Sequence, residues 1–233
     1  MRLPERIKHM NKIFSIAIDG PAGAGKSTIA KAAAEALGAM YLDTGAMYRT
    51  VGLCFMRRGL LEDKAAIAAA VDSVKIEVKF EGGAQKMYLE GEDVSEAIRT
   101  PEASMAASAV GAIPEVRAYL VRLQQETAKG TAIVMDGRDI GTKVLPEATL
   151  KLYLTASPEV RALRRYNELR GKGETPLYHE VLDDIVERDY NDTHRAASPL
   201  MQAEDAKLVD TSSMSLKQAI DAVVLLAKDA IGG

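Results

Sequence analysis

The chain of 233 residues has one cysteine, three histidines and no long apolar run, and each scarcity closes a class of protein. A lone thiol, Cys54, cannot form an internal disulfide, which points to a reducing compartment and an expected cytoplasmic location. In its Gly-Leu-Cys-Phe setting it reads as a small buried hydrophobe. His9, His179 and His194 have no carboxylate, cysteine or histidine partner at ligand spacing, so no zinc site is expected. No apolar stretch approaches the ~20 residues of a membrane span. A formal net charge of −3 argues against bulk attraction to nucleic acid or to an anionic membrane, so neither is an expected partner. The basic residues 1–12 lack the apolar stretch and cleavage site of a secretory signal. They are expected to form a disordered N-terminal extension, since Met10 would begin a compact domain equally well.

What the chain does have is a phosphate loop. The apolar run Phe14 to Ile18 reads as a buried strand. It leads into Gly20-Pro-Ala-Gly-Ala-Gly-Lys-Ser-Thr28 and a helix-like stretch that ends before Gly38. This is G-x-x-x-x-G-K-[ST] with strand and helix in the required places. Gly20, Gly23 and Gly25 let the backbone bend around an anion and turn N–H groups towards it. The helix start adds unpaired donors and a dipole. Lys26 can reach β- and γ-phosphates, and the Ser27 hydroxyl can ligate Mg²⁺. Pro21, Ala22, Ala24 and Thr28 complete the binding loop. A dinucleotide fingerprint fails here because Thr28 stands where its third glycine belongs and the Lys-Ser pair has no use in such a site.

The remaining texture is mostly alternating strand and helix, which predicts an α/β fold with a parallel sheet and ligands at the carboxyl ends of its strands. Strands are expected at 39–43, 131–136, 149–154 and 207–210. Helices are expected at 44–58, with Thr44 as N-cap, at 63–71, from Ser157 to about Leu169, at 177–192, and after the capping box Ser215-Leu-Lys-Gln218. Between them, Val74, Ile76, Val78 and Phe80 alternate with charged residues, and Gly82-Gly83 turns the chain back. This predicts a small antiparallel sheet inserted into the parallel core. The helical stretch 96–127 should break at Pro101 and Pro114.

A phosphate loop serves switch GTPases, mechanochemical ATPases and small-molecule kinases. The Asn-Lys-x-Asp motif that a GTPase uses to read its base has no counterpart after the loop, and large ATPases need a longer chain. A kinase for a phosphorylated acceptor needs clustered arginines, whose planar fork matches phosphate oxygens. Arg49, Arg117, Arg138, Arg188 and Arg195 lie where they could flank the site. Arg138 carries most weight, because Asp136-Gly-Arg-Asp139 at a strand end is a poor place for a charge that merely faces solvent.

From Ile16 to the final helix the sequence resembles the bacterial cytidylate kinases, within the nucleoside monophosphate kinase group of phosphate-loop proteins. The likeness rests on Gly20 to Thr28, on Leu42-Asp-Thr-Gly-Ala-Met-Tyr-Arg49, and on Glu90-Gly-Glu-Asp-Val94 with Ile98-Arg-Thr100. It rests further on Asp136-Gly-Arg-Asp-Ile-Gly-Thr142 and on Glu187-Arg-Asp189 leading to Asp192 and Arg195. It implies Mg²⁺-dependent transfer of the ATP γ-phosphoryl group to CMP or dCMP by a monomer. Lys26, Arg138 and Arg188 would serve the transfer, with Arg161, Arg165 and Arg195 as further candidates. Thr44, Arg49, Ser108, Arg117, Arg138, Asp139, Arg188, Asp192 and Arg195 would bind the acceptor. Among these, Arg49, Arg138 and Arg188 would take its phosphate, Ser108, Arg117 and Asp139 its cytosine, and Asp192 its sugar. The implied organisation is one kinase domain, 13–233, with a core at 13–73, 106–156 and 193–233. Residues 74–105 would form an acceptor-binding insertion and 157–192 a short helical lid. An acid beside an arginine suits the amine and acceptor edge of cytosine better than the carbonyl of uracil. A kinase preferring UMP, and a phosphate-loop regulator without an acceptor, remain the alternatives.

Overall fold

The computed structural model describes residues 12–232, so the expected extension lies outside the described residues except for Lys12. A five-stranded sheet has the order β2-β6-β1-β7-β8, formed by Met40–Asp43, Ile133–Gly137, Ser15–Asp19, Leu150–Thr155 and Lys207–Asp210 respectively. The pairs β1–β6, β1–β7 and β7–β8 are parallel, as the alternation of elements predicts. Strand β1 lies between partners from much later in the chain, with Ile18 beside Asp136 and Asp19 beside both Gly137 and Tyr153. The carboxyl end of β1 therefore sits next to those of β6 and β7, where ligands of such sheets bind.

The described chain forms two compact units, one running up to Tyr41 and resuming at Gly130, the other Leu42–Lys129. The first is built on the sheet. Ile16 and Ile18 of β1, Val134, Leu152 and Leu154 pack with Ile29, Ala33 and Leu37 of helix α1 (Lys26–Leu37). Val223, Ala227 and Ile231 of the last helix, α8 (Leu216–Gly232), join the same core. Ser215 and Gln218 form the predicted capping box at its start, Oγ accepting from Gln218 N–H and Oε1 from Ser215 N–H. Helices α6 (Pro158–Gly171) and α7 (Tyr178–His194) enclose a small cluster of their own, Ala162, Val181 and Ile185.

The second unit begins with helix α2 (Thr44–Arg57), whose N-cap is not Thr44. Strand β2 ends at Asp43, where the sequence places its end, but Asp43 itself, still extended, takes the cap position and accepts from Ala46 N–H at 2.9 Å. Thr44 is the first helical residue. Helix α3 (Lys64–Ala70) is capped by Asp63 and continues as a 3₁₀ turn, Val71–Ser73. That turn holds Val74, so the period-2 strand starts two residues later than its pattern. Strands β3 (Ile76–Glu81), β4 (Ala84–Leu89) and β5 (Glu92–Asp93) form the expected small antiparallel sheet. Pro101 and Pro114 break the following stretch by starting helices α4 (Pro101–Val110) and α5 (Pro114–Ala128) at their first positions. Cys54 is buried as expected, and burial pushes its thiol pKa up.

Helices α2 and α4 approach unusually closely at Gly52. A Cβ there would lie 2.8 Å from both the Ala106 carbonyl carbon and the Ala107 nitrogen. These are backbone atoms that cannot rotate away. Gly52→Ala should therefore cost about 1–3 kcal/mol of stability, the usual penalty of overpacking. Thermal unfolding checks this, and an unchanged midpoint would mean that the two helices can part freely.

Candidate active site

Strand β1 is followed by Gly20, whose φ of 149° no side chain accommodates easily. A Cβ there would meet the Leu154 carbonyl oxygen at 1.9 Å, so β7 itself forces a glycine. The loop closes at Gly25, the N-cap of α1, in the left-handed conformation and with no side-chain cap bond. The first turn of α1 has no acidic residue either. Backbone donors at a helix start without a side-chain cap are a ready anion site. Lys26 is buried against this loop, and its Nζ donates to the Pro21 carbonyl at 2.7 Å. Burial, then the nearby Arg138 charge, push its pKa down to about 7, against the pull of Asp136, Asp192 and Asp19.

Two aspartates, Asp136 and Asp192, gather the side-chain bonds around the rest of the mouth. Ser27 Oγ donates to Asp136 Oδ2 at 2.8 Å, and Tyr41 Oη donates to the other oxygen at 2.7 Å. Arg138 Nε donates to Asp192 Oδ2 at 2.7 Å, and Arg195 adds a longer bond to Oδ1 at 3.4 Å. Burial alone would raise the Asp192 carboxyl, but Arg138, Arg195 and Arg188 hold it below the usual carboxylate range. Asp139, buried, opens a π-helical turn, Ile140–Val144. Asp19, also buried, accepts from Ile140 and Gly141 N–H at 2.8 and 2.7 Å. Its desolvation nonetheless raises its pKa to about 6.

The structure gathers Gly20 to Thr28, Arg138, Asp139, Asp192 and Arg195 in the first unit, with Arg188 exposed on α7. Thr44, Arg49, Ser108 and Arg117 belong to the second unit. There Thr44 is buried, Arg49 pairs with Asp43 at 2.8 Å, and Ser108 is exposed on α4. Arg117 is buried, donates to the Gly111 carbonyl at 2.9 Å, and stacks its guanidinium over the Tyr48 ring.

Two residues stand out that sequence reasoning did not place. Asp136 was visible only as part of a motif, yet it is the acceptor of the Ser27 hydroxyl. Asp19 precedes the loop and belongs to no motif that gives it a role. Arg161, which the resemblance offers as a further phosphoryl contact, is bonded on all sides to protein atoms. Its Nε donates to the Ala156 carbonyl at 2.8 Å and its Nη1 to the Ala22 carbonyl at 2.9 Å. Both terminal nitrogens bond Asp189, at 3.0 and 2.5 Å. The signal for this was faint: an arginine one turn into a helix with an aspartate far downstream.

The oxygens of Ser27 and Asp136 are hard donors with no sulfur or imidazole beside them. That suits Mg²⁺, which takes one or two protein oxygens and keeps its waters and substrate phosphates. Among the described residues no group of three or more His, Cys, Asp or Glu could hold a metal ion.

An uncapped helix start after a G-x-x-x-x-G-K-S loop, at the carboxyl edge of a parallel sheet, defines a phosphate-loop nucleotide-binding protein. The fold is shared with shikimate kinase from Bacteroides thetaiotaomicron, with a TM-score of 0.51 at 16% identity, covering 94% of this chain and 99% of that one. The chain belongs to the cytidylate kinase family, whose model matches residues 16–229. It is 50% identical to a cytidylate kinase of Caldicellulosiruptor bescii over 92% of this chain and 96% of that one. It is 49% identical to one of Pelotomaculum thermopropionicum over the same shares of the two chains.

Proposed function

We propose that the protein transfers the γ-phosphoryl group of ATP to CMP or dCMP, giving ADP and CDP or dCDP. The observation that carries this reading is the convergence of three features at one strand edge. They are an anion-binding helix start, a buried lysine with a depressed pKa, and the Arg138–Asp192–Arg195 charge cluster. Membership of the cytidylate kinase family supports the pyrimidine acceptor.

The backbone donors of residues 20–28 hold the donor phosphates, and Lys26 neutralises charge as the γ-phosphoryl moves. Phosphoryl transfer needs mainly such positioning and neutralisation. The acceptor phosphate oxygen is already ionised near neutral pH, so no general base is required. Arg138, Arg188 and Arg49 hold the acceptor phosphate, and Asp192 the sugar. Asp139 accepts from the cytosine amine, while Arg117 and Ser108 serve the same base. Ser27, with Asp136 beside it, would hold Mg²⁺, which would supply charge neutralisation to the donor phosphates. The region 157–192 acts as the lid that keeps water away from ATP.

The test is ADP formation from ATP and Mg²⁺ with CMP, dCMP, UMP, AMP, GMP and dTMP offered in turn. Stimulation by CMP and dCMP alone is the expected result. Equal use of UMP would keep a kinase but break the role of Asp139. No stimulation by any of the six would make the protein a nucleotide-binding regulator. Arg138→Ala should raise the KM for CMP by about 10- to 100-fold, the worth of a charge-assisted contact, and leave the KM for ATP nearly intact. An unchanged acceptor KM and rate would remove Arg138 from the site.

A further inference from the structure

Asp43 ends β2, the strand at the edge of the five-stranded sheet. An edge strand carries main-chain N–H and C=O groups that no further strand takes. At Asp43 a side chain takes both. Gln85 Oε1 accepts from Asp43 N–H at 2.7 Å, and Gln85 Nε2 donates to the Asp43 carbonyl at 3.1 Å. The amide fits only one way round, oxygen to the N–H and nitrogen to the carbonyl. Gln85 is itself fixed in β4, where it pairs with Phe80 of β3, and its Nε2 also lies 3.1 Å from Met87 Sδ. The Asp43 carboxylate is equally committed. Its Oδ1 accepts from Ala46 N–H as the cap of α2, and its Oδ2 accepts from Arg49 Nη2 at 2.8 Å. The fork lies close over the first turn: a Cβ at Gly45 would be 3.1 Å from both Arg49 Nη1 and Asp43 Oδ1. A run of direct bonds therefore leads from the small antiparallel sheet, through one residue, to the Arg49 guanidinium.

We propose that Gln85 is a positioning residue for the acceptor phosphate. It fixes the main chain of Asp43, and Asp43 in turn aims the Arg49 guanidinium. The inference rests on the reading of Arg49 as a group that holds that phosphate. It adds that the small antiparallel sheet sets the angle of the fork. A planar fork makes its paired bonds to phosphate only at the right angle, so a loosened Asp43 weakens acceptor use although every charge remains. Two plainer roles for Gln85 make different predictions. A stitch that merely ties β4 to the start of α2 would lower stability and leave the kinetics alone. A general loosening around α2 would weaken acceptor use whether or not Arg49 is present.

A double-mutant cycle of Gln85→Ala and Arg49→Ala separates these. The measurement is kcat/KM for CMP, with the KM for ATP, in wild type, both single variants and the double variant. Gln85→Ala alone should lower kcat/KM for CMP on the order of tenfold, the worth of two neutral hydrogen bonds. In the Arg49→Ala background the same change should cost less than about twofold, because the group it positions is gone. The KM for ATP in Gln85→Ala should stay within about twofold of wild type, since the donor loop is untouched. An equal loss in both backgrounds overturns the inference, and so does no loss in the wild-type background. If Arg49→Ala itself leaves kcat/KM for CMP unchanged, the role of Arg49 falls and this inference with it. A wild type that makes no CDP from CMP sinks the proposed function, and this inference too, before any variant is compared. If Gln85→Ala does not accumulate as folded protein, Gln85→Glu is read in the same cycle. It keeps an acceptor for Asp43 N–H but has no donor for the carbonyl, with the same outcomes.

Discussion

Lys26→Ala is expected to lower phosphoryl transfer by about 10²–10³-fold or more with every acceptor, the cost of removing one preorganised charge at a transferring group. The loss should not come from unfolding. Lys26 is buried with its pKa pushed down to about 7, so at or below that pH the fold carries a desolvated ammonium that alanine would remove. Between roughly pH 7 and the ordinary lysine value near 10.4, the unfolded chain binds a proton that the native state does not. Stability contributed at this position therefore rises with pH across that window. The wild type should gain on the variant between about pH 6 and about pH 9.5, as thermal unfolding without nucleotide would show. Retained turnover with any acceptor would sink the phosphate-loop assignment. A variant much less stable at about pH 6 would contradict the burial argument.

The largest loss of stability is expected at Arg161. This side chain is buried at the junction of the phosphate loop, the end of β7 and α7, joining the Ala22 and Ala156 carbonyls to the Asp189 carboxylate. Removing one partner of a buried ion pair costs about 3–5 kcal/mol. Asp189 is partly exposed, with 24% of its side chain accessible, and water can recover part of that. Arg161→Ala should thus lose about 2–4 kcal/mol, a drop in unfolding midpoint of very roughly 5–15 °C for a chain of this size. Arg161→Lys should recover little, because an ammonium cannot make the paired bonds to Asp189 or reach both carbonyls in one plane. A lysine variant as stable as wild type would show that charge alone, not the fork, holds the junction.

How much of this could be read from the sequence depends on where each bond closes. The phosphate loop, the alternating hairpin at 76–89 and the Ser215–Gln218 box are local patterns. Their partners lie within a few residues, so spacing reveals them. The Asp43/Thr44 ambiguity is also local, but two adjacent cap-forming residues differ only in whether the strand has ended, and the ladder decides that. Asp19, Asp136 and Arg161 were out of reach for a different reason. Their partners are Ile140 and Gly141, Ser27 and Tyr41, and Asp189, each brought close only by the parallel sheet or by the packing of α6 on α7. A motif can show that such a residue is in the neighbourhood; it does not show which hydrogen it accepts.

The sheet order also governs when the site can come into being on the ribosome. Strand β1 is made early, yet Ser15 pairs with Ile133 and Ile16 with Leu150. Domains tend to fold as units during synthesis, and pairings distant in sequence close late. Residues 42–129 are contiguous and can consolidate while the ends of β1 still have no neighbours. The nucleotide loop is thus translated among the first residues and completed among the last. A truncated nascent chain that stops before β7 would display the motif in full and have no built site for the phosphate to enter.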